Sequence, residues 1–273
     1  MKKALSIAGS DCSGGAGIQA DLKTFSAHGV YGMTVITSVV AENTFRVTDY
    51  QDVRPDMIEK QIDDVFEDIV PDAVKIGMLS CSETMMVVAG KLRQWKPQNI
   101  VVDPVMYAKN GSALMEESAI TTLVSEIVPL ADLVTPNIPE AEKMTGVPMG
   151  TIKSHEDMRQ AARKISDMGC SAVVLKGGHC EGDAIDILFD GHEFYEYPAP
   201  RVHTVHTHGT GCTFSSAIAS NLALGLPADV AVERAKAYIN FAIANAPRLG
   251  KGNGPTHHFY EMYKNHFRGA GNE

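Results

Sequence analysis

Residues 6–25, "SIAGSDCSGGAGIQADLKTF", read as a strand, a glycine-rich turn and a helix. Inside them Gly15-Ala16-Gly17-Ile18-Gln19-Ala20 also fits GxGxxG/A, the dinucleotide fingerprint. Glu42 follows the next candidate strand, about where a ribose-binding acid is required. The turn "SDCSGGAG" is longer than the fingerprint's tight one, however, and the same glycines serve a bend and close helix–strand packing. The surrounding chain has to decide between these readings.

Outward from that unit, β-rich runs at 4–8, 34–40, 73–78, 100–105, 133–135 and 172–176 alternate with amphipathic stretches near 15–27, 55–69, 82–95, 115–128, 154–168, 212–224 and 227–246. The βαβα rhythm predicts a mostly parallel sheet between helices. "VVDPV" and "AVVLK" are apolar through their strand cores, as strands covered on both faces are. "DILFDGHEFYEY" has two β-rich arms around Asp190-Gly191 and predicts an antiparallel edge hairpin. No linker, repeat or low-complexity tract interrupts the chain, so a single domain over 1–273 is expected, with a frayed tail.

Composition narrows the function. With 24 basic and 33 acidic residues the net charge is −9, without runs of like charge. Nothing forms the basic face that nucleic-acid binding requires. No apolar stretch approaches a membrane span, and the N-terminal apolar run is too short for a secretory signal. Five cysteines without CxxC spacing fit reduced thiols. A cytoplasmic protein without a nucleic-acid or membrane partner is expected.

The polar loops fall just after the strands, where open parallel sheets bind ligands. GxxxxGK[ST] is absent, which removes the P-loop. In "HTHGTGCTFSSAIASNLALG", Gly209-Thr210-Gly211 precede a helix, whose free N–H groups and positive end attract an anion; an ordinary Thr-capped helix start gives the same residues. Cys212 lies in that first turn, where a thiolate is stabilised, or it is a small buried hydrophobe. In "TPNIPEAEKMTG", Asn137 and Glu140 suit either Mg²⁺ bound through water or a capping box. Lys176 ends a strand before two glycines, as a cation near phosphates or as part of a plain turn. His206 with His208, and His257 with His258, lack a third ligand at zinc spacing.

These pieces together resemble the ribokinase-like superfamily of small-molecule kinases, and within it the hydroxymethylpyrimidine/phosphomethylpyrimidine kinases. The stretches that carry the resemblance are "AGSDCSGGAGIQADLKTFSAHGVYGMTVIT", "KIGML", "VVDPVM", "VLKGGH", "HTHGTGCTFSSAIA" and "GPTHHF". The resemblance implies a three-layer α/β/α sandwich with a mostly parallel central sheet and a small antiparallel edge hairpin. It implies transfer of the γ-phosphoryl group of ATP to an aminopyrimidine alcohol, then to its monophosphate, in thiamine biosynthesis, and it leads one to expect a homodimer.

By the same resemblance Gly209, Thr210, Gly211 and Cys212 hold the transferring group, with Cys212 as the base. Lys176, Asn137 and Thr210 face ATP, Asp103 and Glu140 hold Mg²⁺ partly through water, and Asp21, Glu42 and Met78 line the acceptor pocket. One position departs: the family commonly has glutamine in "AQNT", where this chain has Glu42. A carboxylate cannot donate to a ring nitrogen unless it is protonated, so a raised pKa or a lost hydrogen bond is expected there. The cysteine-containing pyridoxal kinases are the close alternative; they carry a second cysteine in the lid, where this chain has Ala108, with Gly111 and Ser112 beside it. A non-catalytic vitamin- or nucleotide-binding protein and a dinucleotide oxidoreductase are the remaining readings.

Overall fold

The structure, a computed structural model, describes residues 1–107, 111, 114–178 and 185–266. Ala108, Ser112, Cys180 and the tail from 267 lie outside the described residues. Strands span Lys3–Ala8 (β1), Tyr31–Ile36 (β2), Ser38–Asn43 (β3), Arg46–Asp52 (β4), Ala73–Ile76 (β5), Ile100–Val102 (β6), Leu133–Val134 (β7), Ala172–Leu175 (β8), Asp186–Phe189 (β9) and Phe194–Tyr197 (β10). Helices span Gly17–Ala27 (α1), Pro55–Asp68 (α2), Ser82–Trp95 (α3), Ala119–Thr122 (α4), Ile138–Thr145 (α5), His155–Ser166 (α6), Thr210–Ala223 (α7), Ala228–Ala244 (α8) and Tyr260–His266 (α9). No described helix is long and apolar enough to cross a membrane.

Eight strands form one sheet in the order β10-β9-β8-β7-β6-β5-β1-β2. Strands β2 to β8 in that sheet are parallel, and β9 and β10 pair antiparallel at the edge. The expected hairpin is thus present. Asp190 closes it, its Oδ1 accepting from the N–H groups of His192 and Glu193 at 2.8 and 2.7 Å.

Side-chain alternation divides the sheet into two faces. Leu5, Ile7, Val74, Ile76, Val102, Val134, Val173 and Leu175 point into one core, which also takes Ile58, Ile62, Val88 and Leu92 from α2 and α3 and Met158 and Ile165 from α6. Ala4, Ala73, Val101, Leu133, Ala172 and Val174 point into the other, with Phe214, Ala217 and Ile218 of α7 and Val232 and Ala235 of α8. The second face is the smaller-residued one, and it admits α7 close to the sheet.

Two expectations need correction. The run 34–40 is not one strand. Thr37 breaks it, giving its N–H to Ala8 O and its hydroxyl to Met78 O, both at 3.0 Å. The chain then leaves the sheet, and β3 pairs antiparallel with β4 as a separate hairpin. The stretch 115–128 is also not one amphipathic helix. It passes from α4 through a π-type segment, Leu123–Ile127, into a 3₁₀ turn at Val128–Leu130. Pro129 has no N–H to continue an α ladder.

Candidate active site

The same alternation delivers the polar residues. Continuing the α7 face past Ala4, Ala73, Val101, Leu133 and Val174 by two residues reaches Ser6, Lys75, Asp103, Thr135 and Lys176. All five therefore stand on one face, Asp103, Thr135 and Lys176 just past the carboxyl ends of their strands and Ser6 and Lys75 within theirs. The first turn of α7 lies over them, and the beginning of this helix is the element the sequence marks as an anion site.

Glycine makes that approach possible. Gly209 has φ +72°, and a Cβ there would sit 1.8 Å from Gly15 O, so the foot of α7 rests on the first loop with no room for a side chain. At Gly211 a Cβ would lie 3.2 Å from Asp103 Oδ2 and 3.6 Å from Lys176 Nζ. The helix start, the carboxylate and the ammonium thus border one small space. N–H groups in a helix's first turn have no intrahelical acceptor and carry the positive end of its dipole.

Asp103 is buried. Its Oδ1 accepts from Lys176 Nζ at 2.9 Å and from Thr135 Oγ1 at 3.1 Å. Asn137 and Glu140 form a complete capping box on α5: Glu140 N–H donates to Asn137 Oδ1 at 2.9 Å, and Asn137 N–H donates to Glu140 Oε2 at 2.8 Å. The capping reading is therefore real, and it leaves Glu140 close enough to Lys176 and Asp103 to feel both. Burial pushes the Glu140 carboxyl up to about 7, with Lys176 pulling it down and Asp103 pushing it up. Two carboxylates whose charges oppose each other in a dry site are the hard-oxygen donor set that Mg²⁺ takes, and a divalent cation would offset both the burial and the repulsion. The residues fit the ion.

Asp21, expected to line the acceptor pocket, is engaged within the protein. Both of its oxygens are taken, by Lys75 Nζ at 3.0 and 2.9 Å, by Ser6 Oγ at 2.5 Å and by Ser216 Oγ at 2.6 Å. The pair lies under α7, near enough to Cys212 for Lys75 to pull on its thiol. Sequence reading passed over Lys75, although a lysine inside the apolar strand "AVKI" was a visible signal.

Cys212 is the third residue of α7, and Gly17 N–H reaches its sulfur. The expected lowering of its pKa is not what the site produces. Burial pushes the thiol up to about 12, outweighing the Lys75 charge, and Asp21 and Asp103 add to the rise. Desolvation penalises the thiolate more than nearby positive charge favours it.

Met78, expected to line the acceptor pocket, packs with Val40 and Leu114, with Val47 and Val105 beside them, and its Sδ approaches Gly9. Glu42 meets two residues that the sequence did not connect to it. Asp11, Glu42 and His208 bring their side-chain donor atoms within 4.8 Å of one another. His208 Nε2 lies 2.9 Å from Asp11 Oδ2, tying the first loop to the residue before Gly209. The pairing spans 197 residues, and motif spacing carries no trace of it. Beyond the foot of α7 an open groove of about 870 Å³ is lined by Gly178, Arg201, His206, Thr207, Arg248 and Asn253.

Residues 11–257 match the family described as phosphomethylpyrimidine kinase. The chain is 50% identical over 264 residues to a hydroxymethylpyrimidine/phosphomethylpyrimidine kinase of Rhizobium meliloti, covering 96% of this chain and 98% of that one. It is 50% identical over 255 residues to the thiamine biosynthesis bifunctional protein ThiED of Geobacter sulfurreducens, of which it spans only 51%. Among solved structures, a phosphomethylpyrimidine kinase from Clostridium difficile matches with TM-score 0.80 at 46% identity, covering 89% of this chain and 100% of that one. A pyridoxal kinase of Bacillus subtilis, solved as an ADP complex, matches with TM-score 0.89 at 37% identity, covering 96% and 99%.

Proposed function

The chain belongs to the phosphomethylpyrimidine kinase family, and from that premise we propose that it phosphorylates 4-amino-5-hydroxymethyl-2-methylpyrimidine and then its monophosphate, with ATP as donor. The observation that carries this reading is the start of α7 laid over Asp103 and Lys176, with Gly211 leaving space between them. Phosphoryl transfer asks a protein mainly to position its substrates and neutralise charge. A helix N-terminus and a strand-end lysine supply both.

Gly209, Thr210, Gly211 and Cys212 present their backbone to the transferring group, and Lys176 offsets its charge. Asp103 and Glu140 would hold Mg²⁺, partly through water, and that ion supplies further neutralisation of the phosphate oxygens. The groove past His206 and Thr207 offers room for the rest of the nucleotide, and Asn137 borders Lys176 through a parallel bridge. The acceptor lies against Met78 and Glu42, with its hydroxymethyl oxygen toward Cys212.

Cys212 enters as a thiol, which cannot accept a proton while it keeps its own. As the new oxygen–phosphorus bond acidifies the alcohol oxygen, that oxygen's proton passes to the sulfur while the S–H proton passes to a phosphate oxygen of the transferring group. Asp21 acts on the acceptor only through Lys75, which holds positive charge beneath the sulfur.

Purified protein incubated with Mg-ATP and either the aminopyrimidine alcohol or pyridoxal tests the reading, with products identified by mass. The aminopyrimidine mono- and diphosphates are expected. Pyridoxal phosphate without pyrimidine products would favour the second reading, which the ADP-bound pyridoxal kinase fold supports. No ADP release with either acceptor would favour the binding-protein reading.

A further inference from the structure

Asp11, Glu42 and His208 form a cluster that resembles a metal site in composition but not in bonding. Asp11 Oδ2 already accepts from Gly15 N–H at 2.8 Å, Ala16 N–H at 2.7 Å and His208 Nε2 at 2.9 Å, while Oδ1 accepts from Ser13 N–H at 2.7 Å. Four donors surround the carboxylate, three of them on Oδ2, and hold it ionised. Since Asp11 only accepts, His208 Nε2 carries the proton between them and is closed to a cation.

Glu42 is the third member, and its place is built. The β3–β4 register breaks between Ala41 and Glu42, an irregularity of the kind that re-aims side chains. Its carboxyl is half-buried and lies beside the fixed Asp11 anion. Two carboxylates in such proximity do not both ionise readily.

We propose that Glu42 meets the acceptor as a carboxylic acid, its O–H donating to an aminopyrimidine ring nitrogen while its carbonyl oxygen accepts from the adjacent amino group. This rests on the kinase reading above and specifies how that site chooses its acceptor. A protonated carboxyl offers one donor and one acceptor side by side, the pattern of a primary amide. An aminopyrimidine edge offers the complement. The carboxylate form would turn two acceptors toward it and lose one bond.

The charged and titratable groups on elements packed against Glu42 are Asp11 and Cys12 of the first loop, Arg46, Asp49, Tyr50 and Asp52 of β4, His208 before α7, and Lys251 in the segment whose glycines meet Thr44. Burial and then Asp11 push the carboxyl up to about 7, against the pull of His208. A raised value means the proton is held below about pH 7 and lost above it. Acceptor binding therefore weakens as pH rises.

The test is the acceptor KM of wild type and Glu42→Gln at saturating Mg-ATP between pH 5.5 and 9. The wild-type KM should rise at least tenfold between pH 6.5 and 8.5, while that of Glu42→Gln stays within threefold, because an amide keeps its donor at every pH. A flat wild-type KM overturns the proposal, and so does the same rise in Glu42→Gln, which would place the titration on the substrate or another group. Turnover of the pyrimidine with either of those profiles leaves the kinase reading standing. Absence of pyrimidine turnover in both proteins at every pH removes the kinase reading and this proposal with it.

Discussion

Lys75 Nζ stands 2.9 and 3.0 Å from the two oxygens of Asp21, and both side chains are 0% exposed. A buried pair of this kind is costly to break on one side, about 3–5 kcal/mol, because the remaining charge is stranded. Asp21→Ala is therefore expected to lower the unfolding free energy by roughly 3 kcal/mol in urea titration. Pairing it with Lys75→Met should recover part of that loss, since no lone charge remains. An Asp21→Ala protein as stable as wild type, with only its acceptor KM raised, would return Asp21 to the pocket wall.

Cys212 carries the second prediction. With its thiol pushed up to about 12 by burial, no thiolate from this residue should form below pH 9. The difference in absorbance near 240 nm between wild type and Cys212→Ala measures it directly. Loss of a side chain that relays a proton in the transition state typically costs about 10²–10⁴-fold in rate, so kcat of Cys212→Ala should fall within that range while ATP affinity changes little. A thiolate titrating near pH 7 would restore activation by the helix dipole.

What the chain disclosed before its structure was periodic. Strand alternation placed Lys176 and Asp103 at strand ends, and the glycines at 209 and 211 marked the helix start above them. What stayed hidden was non-local or energetic. Asp11 meets His208 across 197 residues, which no spacing rule encodes. The β4 strand "RVTDYQD" is mostly exposed, so it lacks the apolar alternation that signals a strand. The pKa of Cys212 depends on how much protein surrounds the sulfur, and a motif gives only its position in the helix.

His258 gives a stability prediction with a defined sign. It is 6% exposed, its Nε2 lies 3.0 Å from Thr213 Oγ1, and burial lowers it from 6.5 to about 3, with Lys23 and His257 acting in the same direction. A histidine kept neutral in the fold contributes stability fully above its unfolded value, and that contribution drains away as pH falls toward the folded one. Between pH 6.5 and 5 this group should cost wild type roughly 2 kcal/mol, at about 1.4 kcal/mol per pH unit. Unfolding free energies at pH 7.5 and 5 for wild type and His258→Gln measure the difference in slope. Equal slopes would show that His258 does not govern the acid limb.

Gly211 separates catalysis from folding. It lies within α7, no positive φ is found there, and alanine in a helix is favoured over glycine by about 1 kcal/mol. Gly211→Ala should therefore fold at least as stably as wild type. Its new methyl, however, would stand 3.2 Å from Asp103 Oδ2 and 3.6 Å from Lys176 Nζ, in the space assigned to the transferring phosphoryl group. A displacement of about an ångström at the reacting centre can cost 10²-fold, so kcat is expected to drop by about that factor with Tm unchanged or raised. The two measurements together are decisive, because a merely structural glycine would lose stability first. A Gly211→Ala enzyme with wild-type kcat would move phosphoryl transfer away from the start of α7.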